Sequence, residues 1–416
     1  MQLLRRRFLG LPLLFLPAAC ADSWSTASAP VSPPPATPAE VESFAASSNA
    51  FGLELYRQIT GSDNLVLSPL SLSIALTMAY GGAQGETAKE MANVLHLSSE
   101  VDKARAAAGN LLAELSKPRE DGELRLVNRL FGDESAGFKE AFIQSTRDAF
   151  GAPLEPVDFI HDAESTRKRI NAWAEHQTKD RIKDLLPEGS INAATRLVLV
   201  NAIYLLADWA APFEKEDTSD GAFTKPDKQP VVVPMMHSGA HPAGYAEVAD
   251  VKLLDLPYKG DALSMTFVLP NDFGGLPAVE SGLDAAKLAE WVKALQPARP
   301  RVALPKIELD PATALTLKSS LAALGMRAAF QEDRADLGRM ANQRLSIAEV
   351  VQKSYLRIDE KGTEAAAATA ILTKATSAVM TDKEFIADHP FLFFLRDRAS
   401  GAILFMGRVT DPSRSG

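Results

Sequence analysis

The chain of 416 residues has one cysteine, six histidines and no excess of basic side chains. A single cysteine can form neither an internal disulfide nor a cysteine-based zinc site. With 44 basic against 53 acidic residues, the formal net charge of −9 argues against a general nucleic-acid-binding protein, which needs a basic surface. The remaining composition, 46% hydrophobic and 23% charged, is that of a globular protein and excludes a largely disordered or collagen-like chain.

Signatures of catalysis are also missing from the sequence. It contains no Gly-x-Ser-x-Gly, no His-Glu-x-x-His and no glycine-rich phosphate loop. His237 and His241 are four residues apart, but the prolines and the glycine around them disfavour a helix, so we expect no metal site there. His389, which precedes a proline, is expected to be structural. We therefore predict that the protein is not an enzyme and needs neither a metal nor a cofactor.

The N-terminus has the layout of an export signal. Three arginines at positions 5–7 precede an apolar run at 8–16, and the small residues Ala18 and Ala19 follow. The run is too short to span a bilayer, which takes about 20 apolar residues. The arginines with the Phe-Leu pair after them also resemble a bacterial twin-arginine signal.

Cys20 stands where a bacterial lipoprotein signal carries its acylated cysteine. We predict a signal peptide over residues 1–19 and a lipid on Cys20, which would anchor the protein to a membrane at the cell envelope or surface. The alternative is cleavage after Ala21, which fits a small-x-small site and would give a periplasmic or secreted protein. Loss of residues 1–19 removes three arginines and leaves a net charge of −12.

The rest of the chain indicates one large domain. Residues 21–39 are rich in Pro, Ser, Ala and Thr without apolar periodicity, so we predict a tether over 20–40 and a folded domain over 41–413. Helices are expected at 44–60, after Ser68 as a cap, at 165–177 and at 312–324. Strands are expected at 197–206, 263–269, 301–309, 349–357 and 402–409. Because the two types are mixed without regular alternation, the fold class is α+β.

A series of short motifs, in order along residues 44–412, resembles the serpin family of serine-protease inhibitors. The motifs are NLVLSPLS at 64–71, GAQGET at 82–87, NRLF at 128–131, INAW at 170–173, LVNAIY at 199–204, LPY at 256–258, LPK at 304–306, LGM at 324–326, AF at 329–330, PF at 390–391 and LFMGRV at 404–409. The resemblance implies three β-sheets, eight or nine helices and an exposed reactive loop at about 359–385. It further implies that a target protease cleaves this loop, which then inserts into the largest sheet and traps the acyl-enzyme.

The hinge of the loop is the segment that would have to enter the sheet. By the resemblance it comprises Gly362, Thr363, Glu364, Ala365, Ala366, Ala367, Ala368 and Thr369. Taken alone, a threonine followed by alanines predicts a helix. In a strand, however, side chains alternate between faces. If Thr363 points inward, the only charges before Ser377, on Glu364 and Lys374, point outward, which favours insertion because a buried unpaired charge is costly.

The spacing from Gly362 places the cleaved bond at Thr376–Ser377. A threonine before this bond suits elastase-like serine proteases. A shifted register would instead present Lys374 to trypsin-like enzymes, or Val379 or Met380 to other elastase- or chymotrypsin-like enzymes.

Under the loop, the resemblance implies a cluster that controls opening of the sheet. Its members here are Ser68, Ser71, Asn201 and Gln352, together with Trp209, which matches the family's tryptophan at the top of the sheet, where insertion starts. Gln352 stands where the family often has histidine, so a pH response through this site is not expected. We predict a monomeric suicide inhibitor of a serine protease, with a cysteine protease as a less favoured target. The alternative is a non-inhibitory serpin that acts as a surface binding or carrier protein.

Overall fold

The computed structural model describes residues 32–59, 61–119, 122–363 and 382–414. Within these ranges the chain forms nine α-helices: α1 Pro38–Gln58, α2 Pro69–Tyr80, α3 Gly85–Val94, α4 Val101–Leu115, α5 Glu140–Phe150, α6 Phe159–Gln177, α7 Leu276–Ser281, α8 Ala285–Ala294 and α9 Lys318–Leu324. None of these described helices is both long enough and apolar enough to cross a membrane.

The same ranges contain nineteen β-strands. They are β1 Leu65–Leu67, β2 Gly122–Asp133, β3 Glu155–Val157, β4 Leu197–Asp208, β5 Thr218–Thr224, β6 Pro230–Ser238, β7 Ala243–Val248, β8 Val251–Pro257, β9 Leu263–Pro270, β10 Gln296–Ala298, β11 Arg301–Pro305, β12 Ile307–Leu309, β13 Leu315–Thr316, β14 Glu349–Ser354, β15 Leu356–Ile358, β16 Gly362–Thr363, β17 Glu384–Ile386, β18 Phe391–Asp397 and β19 Ile403–Val409.

The strands form three sheets. A seven-stranded sheet has the order β1-β19-β18-β9-β8-β7-β10, and a four-stranded sheet has the order β17-β11-β6-β5. The third, here called the central sheet, contains β2–β4 and β12–β16. The prediction of an α+β fold with three sheets, eight or nine helices and a single domain is confirmed over the described residues.

Helix α2 lies at the centre of the main core, and its sequence explains why. All twelve of its residues are buried, because the segment is apolar nearly all round. Ser68 is its N-cap, as predicted, and accepts a hydrogen bond from the Ser71 amide at 3.4 Å. A second core lies between α6 and the outer face of the central sheet.

Helix α1 begins before residue 41, inside the segment predicted as a tether. Thr37 and Glu40 form a capping box, so α1 starts at Pro38. Further upstream, the Asn110 side chain on α4 donates to the Pro34 carbonyl at 2.7 Å.

Three predicted elements differ in extent or are divided in the structure. The strand expected at 349–357 is found as two strands, β14 and β15, with Tyr355 between them. The strand expected at 301–309 becomes β11, which pairs with β6, and β12, which pairs with β15 in a different sheet. Of the helix expected at 312–324, only Lys318–Leu324 is helical; Leu315–Thr316 pairs with β14 instead. The apolar spacing of such short segments does not distinguish a helix from a strand.

Candidate functional site

Strand β4 is paired with two different partners along one of its edges. Residues 198–203 pair in parallel with β14, but beyond them Ala207 and Asp208 pair antiparallel with Thr363 and Gly362 of β16. On its other side, Thr363 pairs with Ile358 of β15. The first two hinge residues therefore already lie within the central sheet, between β4 and β15.

A tight turn brings the hinge back into the sheet. The Asp359 amide donates to the Gly362 carbonyl at 2.9 Å, and the Gly362 amide donates to the Asp359 carbonyl at 3.2 Å. A Cβ atom on Gly362 would lie 2.0 Å from the carbonyl oxygen of Ala207. Only glycine can occupy this position, because such a contact is far inside the van der Waals limit.

The side chains of Trp209, Tyr258 and Thr363 meet where the hinge joins the sheet. We call these three residues, together with Gly362, the insertion point. The hydroxyl groups of Tyr258 and Thr363 are 2.6 Å apart, and both residues are buried. The Tyr258 ring stacks on Trp209 with centroids 4.3 Å apart. Trp209 in turn donates from its indole nitrogen to the Asp359 carbonyl at 3.0 Å.

Glu360 anchors the turn to the body of the protein. Its carboxylate lies 3.0 Å from Lys306 Nζ and accepts from the Thr218 hydroxyl at 2.9 Å, while its carbonyl accepts from the Phe213 amide at 2.8 Å. Burial tends to raise the pKa of Glu360, but hydrogen bonds from its own backbone amide, Lys306 and Thr218 outweigh burial and lower the pKa. The carboxylate is therefore ionised at neutral pH and holds the turn through charge-assisted bonds.

A second group, here called the polar cluster, lies beneath the paired part of β4 and β14. It consists of Ser68, Ser71, Asn128, Asn201 and Gln352, all buried. The Gln352 side chain accepts from the Ser68 amide at 2.9 Å, donates to the Ser68 carbonyl at 3.1 Å and also donates to Asn201. Asn201 donates to both Ser71 and Asn128. These bonds join the end of β1 and the start of α2 to three strands of the sheet.

The family model described as Serpin (serine protease inhibitor) matches residues 46–412. The chain belongs to the serpin family. The leukocyte elastase inhibitor of Xenopus tropicalis is 39% identical over 382 residues, which are 89% of this serpin and 100% of the relative. The human leukocyte elastase inhibitor is 37% identical over 383 residues with the same coverage. Among solved structures, uncleaved ovalbumin superposes with a TM-score of 0.82 at 28% identity and covers 89% of this serpin and 100% of its own chain.

As a member of this family, the protein is a serine protease inhibitor and not an enzyme. Two of its histidines, His241 and His389, are buried among structural neighbours. His241 is buried and stacks on Phe213, with ring centroids 4.3 Å apart. His389 lies between the Asp388 carboxylate and the Pro270 carbonyl, 2.7 Å from each. No group of three potential metal ligands occurs in the described ranges.

The residues predicted to control sheet opening lie in two places. Ser68, Ser71, Asn201 and Gln352 are hydrogen-bonded together, whereas Trp209 belongs to the insertion point beyond the end of β4. Of the predicted hinge, Gly362 and Thr363 are in the sheet. Outside the described residues lie the lipid-attachment residue Cys20, the reactive bond Thr376–Ser377 and the other hinge residues at 364–369.

Sequence reasoning missed three residues of these sites. Asn128 is a member of the polar cluster, Tyr258 is the partner of Thr363, and Lys306 is the partner of Glu360. Each occurs in a motif of the resemblance, at 128–131, 256–258 and 304–306. The motifs identified the family, but only the packing shows what these side chains contact.

Proposed function

We propose that this serpin is an irreversible, suicide-type inhibitor of an elastase-like serine protease, which it traps by inserting the cleaved reactive loop into the central sheet. The observation that carries this proposal is the antiparallel pairing of Thr363 with Ala207 on β4. An inserted strand would have to start at this point. If later residues continued the same pairing, Thr369 would lie opposite Asn201 of the polar cluster.

The loop sequence supports elastase-like specificity. A threonine at position 376, preceded by alanine, suits a small specificity pocket. The leukocyte elastase inhibitors to which this serpin is 37–39% identical support the same class of target. Cleavage after Lys374 would instead indicate a trypsin-like target.

The test is incubation of the purified protein with elastase, trypsin and chymotrypsin in separate reactions. We expect a complex with elastase that survives denaturing electrophoresis, and a released C-terminal peptide that begins at Ser377. As a matched variant, Thr376→Arg should move complex formation from elastase to trypsin, because only the residue before the cleaved bond changes. A cleaved loop with full protease activity remaining would contradict inhibition and favour the carrier function.

We further propose that the protein is exported by a bacterium and anchored in its cell envelope by a lipid on Cys20. The signal-like residues 1–19 and the tether sequence support this localisation. Labelling with a radioactive fatty acid should mark the wild type but not Cys20→Ser. A mature N-terminus at Asp22 would instead show cleavage after Ala21 and overturn the lipid anchor.

A further inference from the structure

The Tyr258 side chain lies against Thr363, the first hinge residue that faces inward. Tyr258 directly follows β8, is fully buried and stacks on Trp209 with an interplanar angle of 23°. Its hydroxyl group is 2.6 Å from that of Thr363. Burial raises the pKa of Tyr258 far above its ordinary value, so the hydroxyl keeps its proton and can donate it to the threonine.

Neither of the residues next to Thr363 in the sequence can replace it in the position against Tyr258 and Trp209. If the hinge slipped outward by one residue, Glu364 would bring a carboxylate against the buried aromatic pair, at a large desolvation cost. If the hinge slipped inward by one residue, Gly362 would lie against Tyr258 and offer no side chain. Lys361, which has a Cβ atom, would then take the present position of Gly362. A Cβ at that place would lie 2.0 Å from the Ala207 carbonyl oxygen.

Register matters because a slip of one residue turns every side chain of a strand to the opposite face. In the observed register, Thr363 is opposite Ala207, so Thr369 faces inward in any continuation of the strand. A slipped register would turn Glu364 and Lys374 into the core.

We propose that the Tyr258 hydroxyl is a positioning group that fixes the register in which the hinge enters the central sheet. The consequence of this positioning for inhibition rests on the proposed function. If this bond is lost, insertion slows relative to release of the protease, and more of the serpin is cleaved without trapping its target.

Four variants test the proposal. Tyr258→Phe keeps the ring on Trp209, Thr363→Val keeps the shape of the side chain, the double variant removes both hydroxyls, and Thr363→Ser keeps one. We measure the ratio of cleaved to trapped serpin against elastase. Loss of one buried hydrogen bond should raise this ratio about fivefold in each single variant. In the double variant this ratio should rise no further than in either single variant, and in Thr363→Ser it should stay near the wild-type ratio. An unchanged ratio in Tyr258→Phe, or additive effects of the two single changes, would overturn the proposal.

A measurement without protease separates this proposal from the proposed function. In the free protein, amide hydrogen exchange over residues 358–363 should be about fivefold faster in Tyr258→Phe than in the wild type, with exchange in β9 unchanged. If the wild type traps no protease but this local exchange changes, inhibition is wrong and the role of Tyr258 in holding the hinge is supported. If the wild type traps elastase but Tyr258→Phe changes neither readout, the inference about Tyr258 is wrong and inhibition stands.

Discussion

Gln352 makes three hydrogen bonds in the polar cluster, two of them to the backbone of Ser68. Gln352→Ala would leave the buried Ser68 amide and the Asn201 side-chain oxygen without a partner, while the Ser68 carbonyl would keep only the Leu72 amide. Since each unsatisfied buried group costs about 1–3 kcal/mol, we expect the free energy of unfolding to fall by at least about 2 kcal/mol. Urea denaturation measures this loss. The control is Gln331→Ala at an exposed position, and an equally small effect of both changes would show that the cluster does not hold the sheet closed.

Glu360 should make the stability of the hinge turn depend on pH. Its folded-state pKa is lowered, so its contribution is complete above the unfolded value of about 4.5 and is lost as the pH falls through the lower folded value. Between about pH 6 and pH 3 the melting temperature of the wild type should therefore fall more steeply than that of Glu360→Gln. Glu332→Gln, at an exposed position, is the control. Parallel curves for wild type and Glu360→Gln would contradict the role of the carboxylate.

At the scale of elements, the pairing of β16 with β4 indicates what the two faces of an inserted loop strand would contact. The inner face of β4 contributes Leu199, Ile203 and Leu205 to the main core, and the outer face contributes Val198 and Val200 to the core beneath α6. A strand inserted beside β4 would be covered on both faces along this stretch. The loop residues that face inward and those that face outward must therefore both be uncharged along this stretch, as the alanines are.

The charges of the loop fall at the two ends of this covered stretch. Continued from the Thr363–Ala207 pair, Glu364 would lie opposite Leu206, which is only half-buried. We therefore expect Thr369→Arg, whose charge would meet the buried Asn201, to convert the inhibitor into a substrate. Glu364→Arg should retain inhibition. Complex formation with elastase on denaturing gels distinguishes them, and trapping by Thr369→Arg at the wild-type level would refute the register.

Elements with a local signal could be predicted from the sequence. Residues 197–206 are apolar except for Asn201, and the strand found is Leu197–Asp208. Ser68 followed by Pro69 predicts the start of α2 at the residue where it occurs. In both cases the determining residues are neighbours in the sequence.

Contacts between distant residues could not be predicted in this way. Tyr258 and Thr363 are 105 residues apart, and nothing in the local pattern of either one indicates the other. The strand expected at 301–309 failed for a related reason, since its division between two sheets depends on where β6 and β15 lie.

For the whole molecule, α6 is the element that loop insertion would have to displace. Val200 on β4 pairs with Val351 on β14 beneath this helix, and a new strand would separate them. Within the described part of this interface, Arg129 Nε and Trp173 Nε1 have no hydrogen-bond partner. Fewer polar bonds therefore oppose movement of α6 than a fully satisfied interface would provide.

The stability of the molecule should also fall in mild acid because of His241. This side chain is buried against Phe213, whose amide holds the Glu360 carbonyl. Burial, with a smaller effect of Arg299, lowers the pKa of His241 from 6.5 to about 4, against an opposing hydrogen bond to the Ala211 backbone. Below pH 6.5 the unfolded chain therefore binds a proton that the folded protein does not, and stability is lost until the pH reaches about 4.

His241→Phe should remove this loss, because phenylalanine can stack on Phe213 but cannot take up a proton. Between pH 7 and pH 4 the free energy of unfolding should decrease by about 2–3 kcal/mol less in this variant than in the wild type. Urea denaturation at a series of pH values measures the difference. His161→Gln changes a histidine that is mostly exposed and should follow the wild type. Equal pH dependence of the wild type and His241→Phe would show that His241 is protonated in the folded serpin or is not held against Phe213.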